Sequence, residues 1–297
     1  MKGANVKQRR LLFRLFTGLG LLFSIFSVHA ELKSSHPQTG LTAVPKWHMI
    51  DNFERPDTWE HWSLEDVQND TDPRIENPQI TEIRSENQGA NHYLIKKPAA
   101  DGIVGNRKAL SYKKLPVAVS VGETYTFYAR FNVEYFPNNH VFGLSNLSPK
   151  EINRQGYNAL EPSLRITDKY ESDGSKNDGT LMVRKGDDYA KIFNPQKNRD
   201  AMPLQTGVWY EVWYVVNNDK ATRGGQHYDV YLRGGDEFPR QQKVYAGADF
   251  RMKRELPIIY FFANCNTGPV DTPYGNGGVL YDDLYMAEGT VLEAPYD

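Results

Sequence analysis

The plainest pattern in the chain lies at Thr124–Val133, where Tyr125, Phe127, Ala129, Phe131 and Val133 alternate with Thr124, Thr126, Tyr128, Arg130 and Asn132. A period of two with one apolar and one polar face is that of a half-buried antiparallel strand. Shorter segments of the same kind recur at Val141–Leu144, Ser163–Thr167, Thr180–Lys185, Trp209–Asn217, His227–Arg233, Ile258–Asn264 and Gly278–Ala287. Turn clusters such as Asp173-Gly174, Arg223-Gly224-Gly225 and Gly234-Gly235 fall between them. From Trp47 onward no helix-period run exceeds two turns, so no βαβ alternation competes. The pattern predicts an all-β fold, a two-sheet antiparallel sandwich of the jelly-roll kind, with Phe127 and Phe131 between the sheets.

The amino terminus follows another rule. A basic stretch ending at Arg14 precedes the apolar run Leu15–Val28, and Val28-His29-Ala30 ends in a small residue. These are the three regions of a secretory signal peptide, with cleavage expected after Ala30. The alternative is a membrane anchor, but 14 apolar residues fall short of the roughly 20 that span a bilayer. Export to the periplasm or beyond the cell is therefore expected, with no membrane span left in the mature chain. Residues 31–46 are polar, carry Pro and Gly and show no period, which reads as a linker or extended arm. The rest, 47–297, is expected to form one domain.

Charge changes the picture further. The whole chain carries 35 Lys plus Arg against 37 Asp plus Glu, but Lys2, Lys7, Arg9, Arg10 and Arg14 all precede the first acid. The mature part thus holds 30 basic against 37 acidic groups, which argues against a nucleic-acid partner, because phosphate neutralisation needs a basic surface. The single cysteine, Cys265, permits no intramolecular disulfide and reads as a buried strand residue.

Two segments at opposite ends of the mature chain carry more than strand character. They are Ile50-Asp51-Asn52-Phe53-Glu54, followed by Trp59 and Trp62, and Gly278-Val279-Leu280-Tyr281-Asp282-Asp283-Leu284-Tyr285-Met286. Together with Val208-Trp209-Tyr210-Glu211-Val212-Trp213 and His227-Tyr228-Asp229-Val230-Tyr231-Leu232, they make residues 47–295 resemble the extracellular concanavalin-A-like and laminin-G-like carbohydrate-binding jelly rolls. The resemblance implies that the first and last strands lie side by side and that their carboxylates share a structural calcium ion. Asp51, Glu54, Asp282 and Asp283 are the expected ligands, since Ca²⁺ takes six to eight hard oxygens. Adjacent aspartates on a regular strand point to opposite faces, so only one of Asp282 and Asp283 is expected to face the ion.

The polar strand faces carry the remaining chemistry. Arg130 and Asn132, with Arg165, Arg184 and Arg233, would form a glycan-binding surface if their faces belong to one sheet. Planar rings stack on pyranose faces, and the guanidinium fork matches carboxylate or sulfate, so the expected partner is an anionic polysaccharide. Whether such a surface only binds is open. A polysaccharide lyase acting by β-elimination needs a cation or amide on the uronate carboxyl and a Tyr or His to move the C5 proton. Tyr128, Tyr231 and His140, at the edge of its strand, are the candidates. The Glu-x-Asp-x-Glu strand of jelly-roll glycoside hydrolases is absent. The acids Asp173, Asp178, Asp187 and Asp188 around Thr180–Lys185 read as a polar hairpin turn. The discriminating feature is a cleft: elimination requires Arg or Asn and Tyr or His at one point, whereas binding requires only an aromatic platform.

Overall fold

Seventeen strands appear in the computed structural model, which describes residues 46–296 except Ser172, without the side chains of Asn106 and Arg107. The expected leader, 1–30, and nearly all of the arm, 31–46, lie outside the described residues. In chain order the strands are β1 (His48–Asp51), β2 (Trp62–Asp72), β3 (Ile80–Glu86), β4 (Asn91–Lys97), β5 (Val104–Val119) and β6 (Thr124–Val133). There follow β7 (Asn139–Ser145), β8 (Leu160–Thr167), β9 (Met182–Lys185), β10 (Asp188–Lys191), β11 (Phe193–Asn194) and β12 (Arg199–Asp200). The last are β13 (Trp209–Asn217), β14 (His227–Gly234), β15 (Phe238–Asp249), β16 (Ile258–Cys265) and β17 (Val279–Glu288). The one α-helix among the described residues is α1 (Pro149–Gln155).

Two large antiparallel sheets result. The first runs β15-β14-β13-β6-β17-β4-β3, with β1 also paired to β17, and the second runs β10-β9-β8-β7-β16-β5-β2. Strand β6 lies at the centre of the first because its apolar face is unbroken: Phe127, Ala129, Phe131 and Val133 are fully buried. They meet Phe142, Leu144, Leu164, Ile166, Val183, Phe261 and Ala263 of the second sheet in one core. Phe131 stacks on Tyr210 at 5.6 Å between ring centres and packs on Phe142 across the sheets, also at 5.6 Å. The pairing of chain ends expected from the resemblance is present, with His48 opposite Met286 and Met49 opposite Tyr285.

Alternation fails at one place that matters. Register slips between Asp282 and Tyr285, where Asp283 adopts φ +49°. A bulge inserts one residue without a partner and re-aims its neighbours. Asp282 and Asp283 therefore both reach Arg130 on one side of the sheet, contrary to the expectation of opposite faces. No helix among the described residues is long and apolar enough to cross a membrane.

Truncation of the central core residue tests this packing. Phe131→Ala should destabilise the protein by about 3–5 kcal/mol in denaturant unfolding, because the rigid rings around it cannot close the space.

Candidate functional site

The polar faces expected to form one surface are divided between two sheets. Tyr128, Arg130, Asn132, Tyr231 and Arg233 lie on the outer face of the first sheet, while Arg165 and Arg184 lie on the outer face of the second. His140 is among the residues bordering the second sheet's cleft, but its side chain lies on the core side of its strand. It is a strand residue, opposite Ile166 and Cys265, and its side chain is 1% exposed between the sheets. Its Nε2 lies 3.0 Å from the Gly277 carbonyl, and burial pushes the imidazole down to about 3, so it stays neutral in water at neutral pH.

The outer face of the first sheet is largely occupied by the chain itself. Leu292, Ala294, Trp47, Tyr231 and Tyr285 pack around Tyr128 and Trp213. Trp213 Nε1 donates to the Glu293 carbonyl at 3.4 Å, and Gln241 donates to the Leu292 carbonyl at 2.7 Å, which hold the C-terminal segment down. Tyr128 donates to Glu211 Oε1 at 3.2 Å and bonds the Tyr296 hydroxyl; burial, with Tyr296 beside it, pushes its phenol well above the usual range. The arginines here have carboxylate partners. Arg233 pairs with Glu211, and Arg130 Nη1 donates to Asp282 Oδ2 at 3.2 Å and Asp283 Oδ2 at 3.1 Å while its guanidinium stacks 4.8 Å from the Trp209 ring.

The four carboxylates expected to hold calcium are likewise furnished with donors. Asp51 accepts from the Phe53 amide (2.9 Å), Trp62 Nε1 (2.8 Å), Thr58 Oγ1 (3.4 Å) and Lys113 Nζ (2.5 Å). Glu54 accepts from the His92 amide at 2.6 Å and meets His92 Nδ1 at 2.7 Å. Asp282 takes Arg130, Asn91 Nδ2 and the Asp283 amide. With Lys113 and Arg130 already supplying positive charge, these residues do not fit a shared calcium ion. Burial, together with the adjacent Asp283 charge, raises Asp282 to about 7.

The second sheet presents a different surface. On its outer face a cleft of about 620 Å³ is lined by Arg165, Arg184, Tyr157, Tyr189, Asn264, Lys108 and Arg251, among others. One ladder runs Asn264–Val141–Arg165–Met182 across β16, β7, β8 and β9, and Arg184 faces Tyr189 across the β9–β10 hairpin. The loop from β7 to β8 carries α1, whose N-cap is Ser148, and a following turn that sets Tyr157 over the sheet. Arg165 lies 4.9 Å and Arg184 5.3 Å from the Tyr189 ring centre; the Tyr157 and Tyr189 hydroxyls bond each other. Arg251, clamped by Asn158, stacks 4.2 Å from the Tyr157 ring and directs Nη1 to the Tyr189 hydroxyl at 3.5 Å.

Charge in this cleft is layered. The Arg165 and Arg184 side chains are 10% and 8% exposed, whereas Asp173, Asp187 and Asp188 stand exposed at the rim. Arg165 pairs with Glu171 at 2.8 Å, but among the described residues Arg184 is paired with the solvated Asp187 alone, at 3.7 Å, and its buried Nε has no partner. Asn264 Oδ1, also buried, has none either. Burial, with the neighbouring Tyr189, pushes the Tyr157 phenol well up, so it keeps its proton and can donate. Tyr157, Tyr189, Asn264, Arg251 and Lys108 were not singled out by the sequence. Only Tyr189 left a signal: a two-residue hairpin turn at Gly186-Asp187 pairs it directly with Arg184, on the same face.

No family model matches the chain, and no curated protein does. Solved structures similar to it include the marine PL-14 alginate lyase from Aplysia kurodai, at 10% identity and a TM-score of 0.49, covering 83% of this chain and 100% of that one. The lectin UEA-II in complex with galactose is similar at 9% identity and a TM-score of 0.45, covering 82% and 99%. The VIP36 exoplasmic/lumenal domain, in its Ca²⁺/Man3GlcNAc-bound form, is similar at 9% and 0.43, covering 84% and 91%.

Two measurements check the charge assignments. Chelator at neutral pH should leave the melting temperature unchanged, since Asp51, Asp282 and Asp283 have protein donors; a fall reversed by calcium would contradict this. Asp282 binds its proton more tightly folded, near 7, than unfolded, near 3.8. Stability should therefore fall as pH rises between these values, by up to about 1.4 kcal/mol per pH unit. Asp282→Asn should flatten that slope in unfolding experiments at pH 5–8.

Proposed function

We propose that the protein is an exported polysaccharide lyase that cleaves an acidic, uronate-containing glycan by β-elimination in the cleft on the second sheet. The observation that carries the reading is the meeting, in one cleft, of two nearly buried guanidinia, a buried amide and a bonded pair of tyrosines. Arg184, whose nearest acid is the solvated Asp187 at 3.7 Å, takes the uronate carboxylate. Neutralising that charge lowers the barrier to removing the C5 proton, because the electron pair left at C5 delocalises into the carboxyl group.

Tyr189 moves the proton. Its ring is flanked by Arg165 and Arg184, and its oxygen by the Arg251 guanidinium and the Tyr157 hydroxyl, so the oxygen that handles the C5 proton is held in place at the cleft floor. Tyr189 enters the cycle as the phenolate, having released its own proton to solvent; its oxygen takes the C5 hydrogen as a proton, the electron pair left at C5 forms the C4–C5 double bond, and the C4–O bond breaks. The same phenol then returns its proton to the departing glycosidic oxygen, which balances the step without water or an external oxidant.

Incubation with a panel of acidic polysaccharides, followed by the ultraviolet absorbance of the unsaturated uronate product, tests the reading. Tyr189→Phe keeps the ring and removes the acid–base oxygen, and should lower turnover on the order of a hundredfold or more while leaving substrate retention intact. Arg184→Ala should weaken binding itself, and Arg184→Lys should recover only part, since an ammonium lacks the planar fork. Retention of acidic glycan without absorbance from the wild type would make the protein a binder and overturn the chemistry.

A further inference from the structure

A carboxylate out of reach of any substrate holds one wall of the cleft. Glu161, near the start of β8, is fully buried. It accepts from Arg254 Nη1 at 2.8 Å, from Asn146 Nδ2 at 3.3 Å and from the backbone amides of Met252, Lys253 and Arg254 at 2.9, 3.0 and 3.3 Å. A buried carboxylate is costly unless paired and bonded, but the Arg254 guanidinium alone would balance its charge. The three consecutive amides go further, because they wrap the loop between β15 and β16 around one anion. That loop is not relaxed. Lys253 and Glu255 adopt φ +51° and +53°, left-handed values that residues other than glycine keep only where surrounding contacts impose them.

The loop carries Arg251. Its amide donates to the Glu161 carbonyl at 3.2 Å, one residue before the amides that meet the carboxylate. Its guanidinium is aimed by Asn158, whose Oδ1 accepts from Nε at 3.1 Å and from Nη2 at 2.8 Å, onto the Tyr157 ring and toward the Tyr189 hydroxyl. Glu161 reaches Asn158 by a second route. Arg254, whose Nη1 the carboxylate holds, donates from Nη2 to the Asn158 carbonyl and to Gln155 Oε1 at 2.8 Å, at the end of α1. Both supports of Arg251, the backbone that bears it and the asparagine that aims it, therefore lead back to Glu161.

We propose that Glu161 is a positioning residue for the elimination: acting through the loop 251–254, it holds Arg251 on Tyr157 and beside the Tyr189 hydroxyl. The inference rests on the reading of Tyr189 as the group that moves the C5 proton. A positioning role differs from a merely structural one in what its loss changes. Without the carboxylate the oxygen that handles the proton is misplaced, while Arg184, which takes the uronate, is untouched. Turnover then falls and substrate binding is kept.

Kinetics and NMR of the full protein test this. In Glu161→Gln, kcat on an acidic polysaccharide should fall by about tenfold or more with KM unchanged. Arg251→Ala should slow turnover similarly, and the double variant should be no slower than Arg251→Ala alone, because residues acting along one path do not add. Glu161→Asp keeps the charge on a shorter side chain; it should show an intermediate loss, and it carries the same tests where the glutamine variant does not fold. The Arg251 Nε–H resonance, assigned by its absence in Arg251→Lys, should exchange slowly in the wild type and be lost to exchange in Glu161→Gln. An unchanged Arg251 resonance, or an effect of Glu161→Gln on kcat that is as large without Arg251 as with it, overturns the proposal. A wild type without eliminase activity overturns the lyase reading, and the Arg251 resonance then decides the positioning by itself.

Discussion

Every strand of this protein that reaches the core has one face committed to it, and the fate of the opposite faces follows from that constraint. Phe131, locked between Tyr210 within its sheet and Phe142 across the sandwich, fixes the register of β6 against β13 and β17. Once that register is set, Tyr128, Arg130 and Asn132 must face outward. On the first sheet this outward surface is consumed by the C-terminal segment, by Trp47 and by ion pairs. On the second sheet a helix-bearing loop and a hairpin rise at the sides and leave the floor open.

Electrostatics distinguish the two surfaces more sharply than residue type does. Arg130 and Arg233 are arginines in aromatic company, as a sugar site requires, yet each has a carboxylate in direct contact. Removing two charges from water is repaid only when the pair is close and well bonded, so such arginines are spent on the fold. Arg184 is more deeply placed than either, but its nearest acid is solvated and 3.7 Å away. A nearly buried guanidinium without a close, buried carboxylate is electrostatically poised for an anion that arrives from outside.

Much of the architecture was legible in the sequence, because strands with one apolar face declare themselves. Thr124–Val133, Trp209–Asn217 and His227–Gly234 have clean alternation, and the observed strands β6, β13 and β14 match or nearly match the predicted bounds. Strands β2, β3, β4, β5 and β15 were not predicted. Most of them are polar on both sides: β3 reads Ile-Thr-Glu-Ile-Arg-Ser-Glu, and β5 carries Lys-Lys-Leu-Pro within its 16 residues. The arginines were identified by type, but their division between sheets depends on strand order, which pairs residues more than a hundred positions apart and leaves no local trace. The bulge at Asp283 was hidden for a related reason. Alternation predicts faces only while the register is unbroken, and Arg130 held by both aspartates is the consequence of the break.

On the reading proposed above, the glycan lies on the second sheet, with its carboxylate on Arg184 and its C5 hydrogen facing Tyr189. A crystal structure of the Tyr189→Phe variant soaked with a uronate-containing tetrasaccharide tests it directly. The account predicts density for the sugar in the cleft, with a carboxylate within hydrogen-bonding distance of Arg184. Sugar bound instead on the first sheet, beside Trp209 and Arg130, would contradict it.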